Sequence, residues 1–184
     1  MATNSCNSIK TFTYNPCVAN LGGIKTVWLA EWAEDALTRN QEDGKVTLTD
    51  ELASLKKDGI TWEKYPMRKN VASMTSTLNN STDGASYVTT ELALVFSRMD
   101  AAKRASIQAL ALGEVMAVVE DSNGELWFLG ADAPLIATAG AGETGTAMAD
   151  ANRYTLTLTD ESKEFPYRIS AESKPSKPQS VSSL

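Results

Sequence analysis

Histidine is absent from this chain of 184 residues, and cysteine occurs only twice. Without an imidazole there is no Ser-His-Asp or Cys-His nucleophile, no His-containing zinc site and no ordinary general base near neutral pH. The two thiols, Cys6 and Cys17, cannot complete a four-ligand zinc site. In a cytoplasmic product they are expected to be reduced cysteines in an N-terminal arm rather than a disulfide. Long apolar runs are missing as well: none approaches the roughly 20 residues of a membrane helix, and the polar start Met1-Ala2-Thr3-Asn4-Ser5 lacks a signal-peptide pattern. Positive charge is scarce, with 17 Lys and Arg against 23 Asp and Glu, and the net charge of −6 disfavours wrapping of a phosphate backbone. From these absences the expectation is a non-enzymatic protein without metal, cofactor or membrane, with an enzyme the poorest of the readings.

What remains is an ordinary globular composition, 42% hydrophobic and 22% charged, in a length suited to one domain with a real core. The chain is organised around residues 87–130. Tyr87 to Met99 is dense in β-branched and aromatic residues and nearly continuously apolar from Leu92 to Phe96, which predicts a long strand buried on both faces in its second half. Asp100 is placed to cap a helix over Ala101 to Leu112, with Met99, Ile107 and Leu110 on its packing face. Lys103 falls inside that apolar stripe and is expected to snorkel or to reach a partner chain, and Gly113 stands where a left-handed C-terminal residue is wanted. Glu114 to Glu120 and Glu125 to Leu129 flank Asn123-Gly124, a strong hairpin signal.

On either side the elements are shorter. Residues 1–23 read as an arm, and Ile24 to Trp32 as a mostly buried strand. Residues 33–59 form an acidic elaboration, with a short strand expected at Lys45 to Leu48 and a helical turn capped by Asp50. Ile60 to Tyr65 alternates as a strand stopped by Pro66. Val71 to Leu78, rich in Ser and Thr, pairs through a polar turn with the strand from Tyr87 to give a long hairpin whose first arm has little to bury, so that it calls for a partner along its edge. Ala131 to Asn152 reads as a glycine-containing connection, Arg153 to Thr159 as a closing strand, Phe165 to Ile169 as a last short one, and residues 171–184 as a tail that is disordered or held by a partner.

No motif adds chemistry. Gly140-Ala141-Gly142-Glu143-Thr144-Gly145 lacks the preceding strand and following lysine of a phosphate-binding loop, and reads as a flexible loop. The acid pairs Glu34/Asp35, Glu42/Asp43 and Asp50/Glu51 lack calcium-loop spacing and read as solvated surface. Trp28, Trp32, Trp62 and Trp127 fall in predicted strands and read as packing groups.

Four strings carry a resemblance: Ser76 to Asn79, Leu92 to Arg104, Asn123 to Gly130, and Gly145 through Asp160. In their order, from Ile24 to Ile169, the chain resembles the tail-tube family of bacteriophages, similar in fold to the tube protein of type VI secretion. The nearer likeness is to tube-like ring or tail proteins of phages of gut Bacteroidales, including the crAss-like group. The resemblance implies a mainly β fold, a tail-tube-like sandwich or barrel with one flanking α-helix and a long extended β-hairpin; the acidic insertion is extra to a minimal tube subunit. It implies a virion protein of tail or neck, made in the host cytoplasm, forming a homo-oligomeric ring, hexameric or a multiple, beside neighbouring ring proteins. The hairpins would build an inner barrel through which DNA passes without specific binding. Met74, Ser76, Leu78, Tyr87, Thr89, Leu92, Leu94 and Phe96 are then the expected inter-subunit residues, and Thr75, Thr77, Thr90 and Glu91 the expected lumen-facing ones. The rival reading is a monomeric binding module, a capsid decoration or immunoglobulin-like adhesion domain, presenting residues 130–152; sedimentation across concentrations separates the two.

Overall fold

In a computed structural model the described residues are 19–34, 36–38, 59–69 and 71–171, together with 17, 41–42, 45–46, 54–55 and 174–175. The chain is mainly β, with two principal antiparallel sheets and one helix. The first sheet joins β1 (Ile24–Glu31), β6 (Glu63–Pro66), β9 (Val115–Asp121), β10 (Leu126–Leu129) and β13 (Tyr167–Ile169) in the order β13-β10-β9-β1-β6. The second joins β7 (Ser73–Asn80), β8 (Ser86–Ser97), β11 (Ile136–Glu143) and β12 (Arg153–Ser162) in the order β11-β12-β8-β7. Between the sheets lies the main core: Val27 and Leu29 from β1, Val115, Ala117 and Val119 from β9, facing Leu92, Leu94, Leu156 and Leu158 from β8 and β12.

The five-stranded sheet is apolar on both faces because both are covered. Its outer residues Trp28, Ala30, Met116, Val118 and Phe128 form a second core with Ala36, Leu55 and Trp62. Residues of the acidic elaboration therefore help to close the outside of the sheet. Within it, β2 (Leu37–Thr38) pairs with β5 (Ser54–Leu55), and β3 (Gln41–Glu42) with β4 (Lys45–Val46). Ser54–Leu55 is thus strand where a helical turn was expected; Asp50 and Leu48 lie outside the described residues. Of the tryptophans, Trp28 and Trp127 are in strands, while Trp32 and Trp62 border β1 and β6; all four pack on one core or the other.

The second sheet departs from expectation in three ways. β8 is not buried on both faces: Val88, Thr90, Leu92, Leu94 and Phe96 are buried and the alternate residues are not, because the five-stranded sheet covers one side only. β11 occupies a segment that reads as a connection; its Ala and Gly residues have poor strand propensity, and pairing with β12 from Ile136↔Thr159 to Glu143↔Arg153 overrides it. β12 also runs on to Ser162, pairing with β8 as far as Val88.

Strand passes to helix at Arg98, whose φ of 65° is held by hydrogen bonds from its N–H to the Asn152 carbonyl (2.8 Å) and from Lys103 Nζ to its own carbonyl (3.1 Å). The helix α1 (Ala101–Leu112) begins as expected: Asp100 Oδ1 accepts the Lys103 N–H at 2.8 Å, and the hydrogen bond from the Lys103 ammonium holds the Asp100 carboxyl below its usual range. Lys103 is satisfied within its own chain, so it calls for no partner. Gly113 is extended rather than left-handed (φ −97°), because the chain enters β9 directly. Ile107 and Leu110 pack against the main core, yet no helix residue is fully buried and Leu112 is 81% exposed. Met99 lies outside that core, near Gly142 and Tyr154.

The described ends are tied down. Asn123 in the β9–β10 turn brackets Leu21, accepting its N–H at 2.8 Å and donating to its carbonyl at 3.1 Å. Lys174, in the segment expected to be disordered or partner-held, pairs with Glu120 at 2.9 Å and stands over the Trp28 ring of its own chain. Cys17 is exposed, and Cys6 lies outside the described residues.

Candidate functional site

Cross-strand register decides which residues share a face of the second sheet. Rows such as Thr159↔Glu91↔Thr75, Glu161↔Thr89↔Thr77 and Thr157↔Ala93↔Ser73 all point away from the core. Thr155 and Thr138 extend the same surface on β12 and β11, and Thr138 and Thr159 share a hydroxyl hydrogen bond at 2.9 Å. The face is a lawn of hydroxyls with few charges: Glu91, Glu143, Glu161 and Arg153, the last paired with Glu143 at 3.4 Å.

This sorts the expected site residues. Thr75, Thr77 and Glu91 are exposed on the outer face, with Thr89 half-buried beside them. Thr90 belongs to the opposite face: it is fully buried and shares a 3.0 Å hydrogen bond with Ser76. Leu92, Leu94 and Phe96 are core residues and are unavailable to a neighbour; Met74 packs partly against the same core. Leu78 and Tyr87 remain exposed, at 50% and 39%.

Among the described residues the sheet also has two open edges, β7 and β11, each eight residues long. The outer strands of the other sheet, β6 and β13, have four and three residues. Long bare edges are templates for another strand. Bonds near the strand ends reveal which way each backbone group points. Ser81 donates to Ala85 at 2.8 Å, so by antiparallel alternation the odd residues of β7 bond to β8, and Met74, Ser76, Leu78 and Asn80 point their N–H and C=O away from β8. Arg98 donates to Asn152 at 2.8 Å, so alternation carried through β12 leaves Gly140 and Gly142 of β11 facing outward. No signal in the composition of residues 136–143 marked this second edge, because Ala and Gly are the residues that make a loop and a bare strand look alike.

The edges are staggered. β7 lies opposite residues 86–93 of β8, whereas β11, through β12, lies level with residues 91–97. At about 3.3 Å per residue and about 4.8 Å per strand, that slope is about 45°, near the 35–45° strand tilt of closed barrels.

Behind the face, Asp160 is 4% exposed; Oδ2 accepts the Gly130 N–H at 3.0 Å while Oδ1 is buried without a hydrogen-bond partner. Burial, helped by the Asp132 charge and opposed by the Gly130 N–H, pushes its carboxyl up to about 6. The folded chain therefore holds this proton more tightly than the unfolded one, and its contribution to stability is present below about pH 4 and lost as pH rises through 6. Asp160→Asn keeps an acceptor for Gly130, so its stability relative to the natural chain is expected to rise by about 2 kcal/mol between pH 4 and 7. Urea unfolding at both pH values tests this, and parallel profiles would refute it.

Among the described residues no group of three or more acidic or thiol side chains could hold a metal, and no helix is long and apolar enough to cross a membrane. No family model, curated protein or solved structure matches the chain. The reading of the site accordingly rests on the hydroxyl face and the two edges beside it.

Proposed function

We propose that this protein is a structural virion subunit that assembles edge to edge into a ring, of the tail or neck of a phage, with the hydroxyl face lining a channel for DNA. The observation that carries the reading is the pair of long, staggered open edges on one four-stranded sheet. In that sheet β7 and β11 run in opposite directions, so a copy rotated about a central axis sets its β11 antiparallel to the β7 before it, and the alternation of strands continues unbroken. Closure of the ring pairs every edge. Six copies would contribute 24 strands, a barrel of about 50 Å at the observed slope. A lining of threonine with a small excess of carboxylates offers phosphate no cluster of cations to grip, so DNA slides.

Electron microscopy of the concentrated full-length protein is expected to show rings of one diameter. Monomers at every concentration, by microscopy and by sedimentation, would overturn the reading.

A further inference from the structure

The ring reading does not say how one subunit recognises the next edge in one register, and two features outside the hydroxyl face bear on it. Leu78 shares the core side of the sheet with its cross-strand partner Val88, yet Val88 is 1% exposed and Leu78, at the rim, 50%. At the opposite rim a groove of about 510 Å³ runs between α1 and β11, with Ile107 and Ala111 on one wall and Ala137, Gly140, Gly142 and Tyr154 on the other. Gly140 leaves it open on the side where a further strand would add, while Tyr154 and Met99 fill the space over Gly142.

We infer that Leu78 of one copy seats in the α1–β11 groove of the next, opposite Gly140, and that this contact sets the register of assembly. The inference rests on the ring reading and goes beyond it. From β7 to β11 the strand centres move about 1.5 residues per strand. One more step of that size places the incoming Leu78 level with Gly140 and Ser76 level with Gly142. The placement satisfies the parity that an antiparallel pair requires, which shows in two ways. A shift that preserves the slope must also keep core-side residues on the core side, and Leu78, Gly140 and Gly142 all lie there, since Gly140 pairs with the buried Leu156. Leu78 and Gly140 are also both residues whose N–H and C=O point outward, so they meet as a mutually hydrogen-bonded antiparallel pair. A one-residue slip would turn Leu78 into the hydroxyl face and oppose inward-bonded groups to outward ones.

Covalent trapping tests the register. Directly bonded antiparallel partners have Cα atoms about 5.5 Å apart, inside the range a disulfide spans. In full-length protein with Cys6→Ser and Cys17→Ser, the pair Leu78→Cys and Gly140→Cys is expected to give, on mild oxidation, a ladder of covalent oligomers ending at the ring, while either cysteine alone gives none beyond dimers. A plug tests the groove. A Cβ on Gly140 would meet its own chain only at ordinary contact distance, 3.4 Å from the Thr155 carbonyl and 3.6 Å from Leu156, so Gly140→Val should fold. Its assembly is expected to weaken at least tenfold and to recover when Leu78→Ala is added. Rings that form normally with Gly140→Val, or rings of the double-cysteine protein that give no ladder, would overturn the groove contact and leave the ring standing. Absence of rings from the natural sequence would overturn both.

Discussion

Ser76→Pro is expected to give a chain that folds and does not assemble. The Ser76 N–H points to the open side of β7, so proline there removes a donor that the isolated subunit does not use, and edge strands tolerate proline where central ones do not. The loss inside the subunit is the Ser76–Thr90 hydroxyl bond, worth about 1 kcal/mol. Thr77→Pro is the control: its N–H bonds to β8 opposite Thr89, so it should unpick the hairpin itself and lower stability by about 2 kcal/mol or more. Sedimentation and thermal unfolding of the two variants separate the outcomes. A Ser76→Pro protein that still forms rings would mean that subunits do not join through β7.

Trp28→Ala is expected to lower stability by about 4 kcal/mol, within the range for removing a buried aromatic and a large part of the 5 to 15 kcal/mol that hold a typical domain together. Trp28 is 2% exposed at the centre of the outer core, among Ala30, Met116, Val118 and Phe128. Its ring also lies beneath two ammonium groups, Lys64 at 5.7 Å and Lys174 at 5.1 Å from the centroid. The same substitution should loosen residue 174 from the sheet, since the Lys174 side chain would lose the ring and keep its ion pair with Glu120. Urea denaturation measures the first effect, and faster hydrogen exchange of the Lys174 N–H, bonded to the Ala171 carbonyl at 3.2 Å, the second. A loss under 1 kcal/mol would show that the outer core collapses onto the gap.

The two edges differ in how legible they were. β7 was readable because its partner β8 is long and apolar, the turn between them is polar, and the arm itself offers so little to bury. β11 was not, because local composition carries no trace of a ladder supplied by a strand that comes after it in the chain. The same distinction explains Thr90. A threonine in a Ser- and Thr-rich ribbon gives no sign of its face until the register with Ser76 and Asp160 places it inside. Asp160 was missed for the same reason: it reads as one more acid in an acidic chain, and only the Gly130 N–H and the overlying sheet make it a buried carboxyl.

Local order in the residues decided the mainly β class, the helix start at Asp100 and the hairpin at Asn123-Gly124, because capping, turn chemistry and period-two alternation act over a few neighbouring residues. Only the tertiary structure decided that 136–143 is a strand, that Leu92, Leu94 and Phe96 serve the core, that residues of the acidic elaboration close the outside of a sheet, and that both rims of the other sheet lie open among the described residues. Those outcomes depend on pairing between segments distant in the chain, and such pairing is set by which surfaces must leave water together.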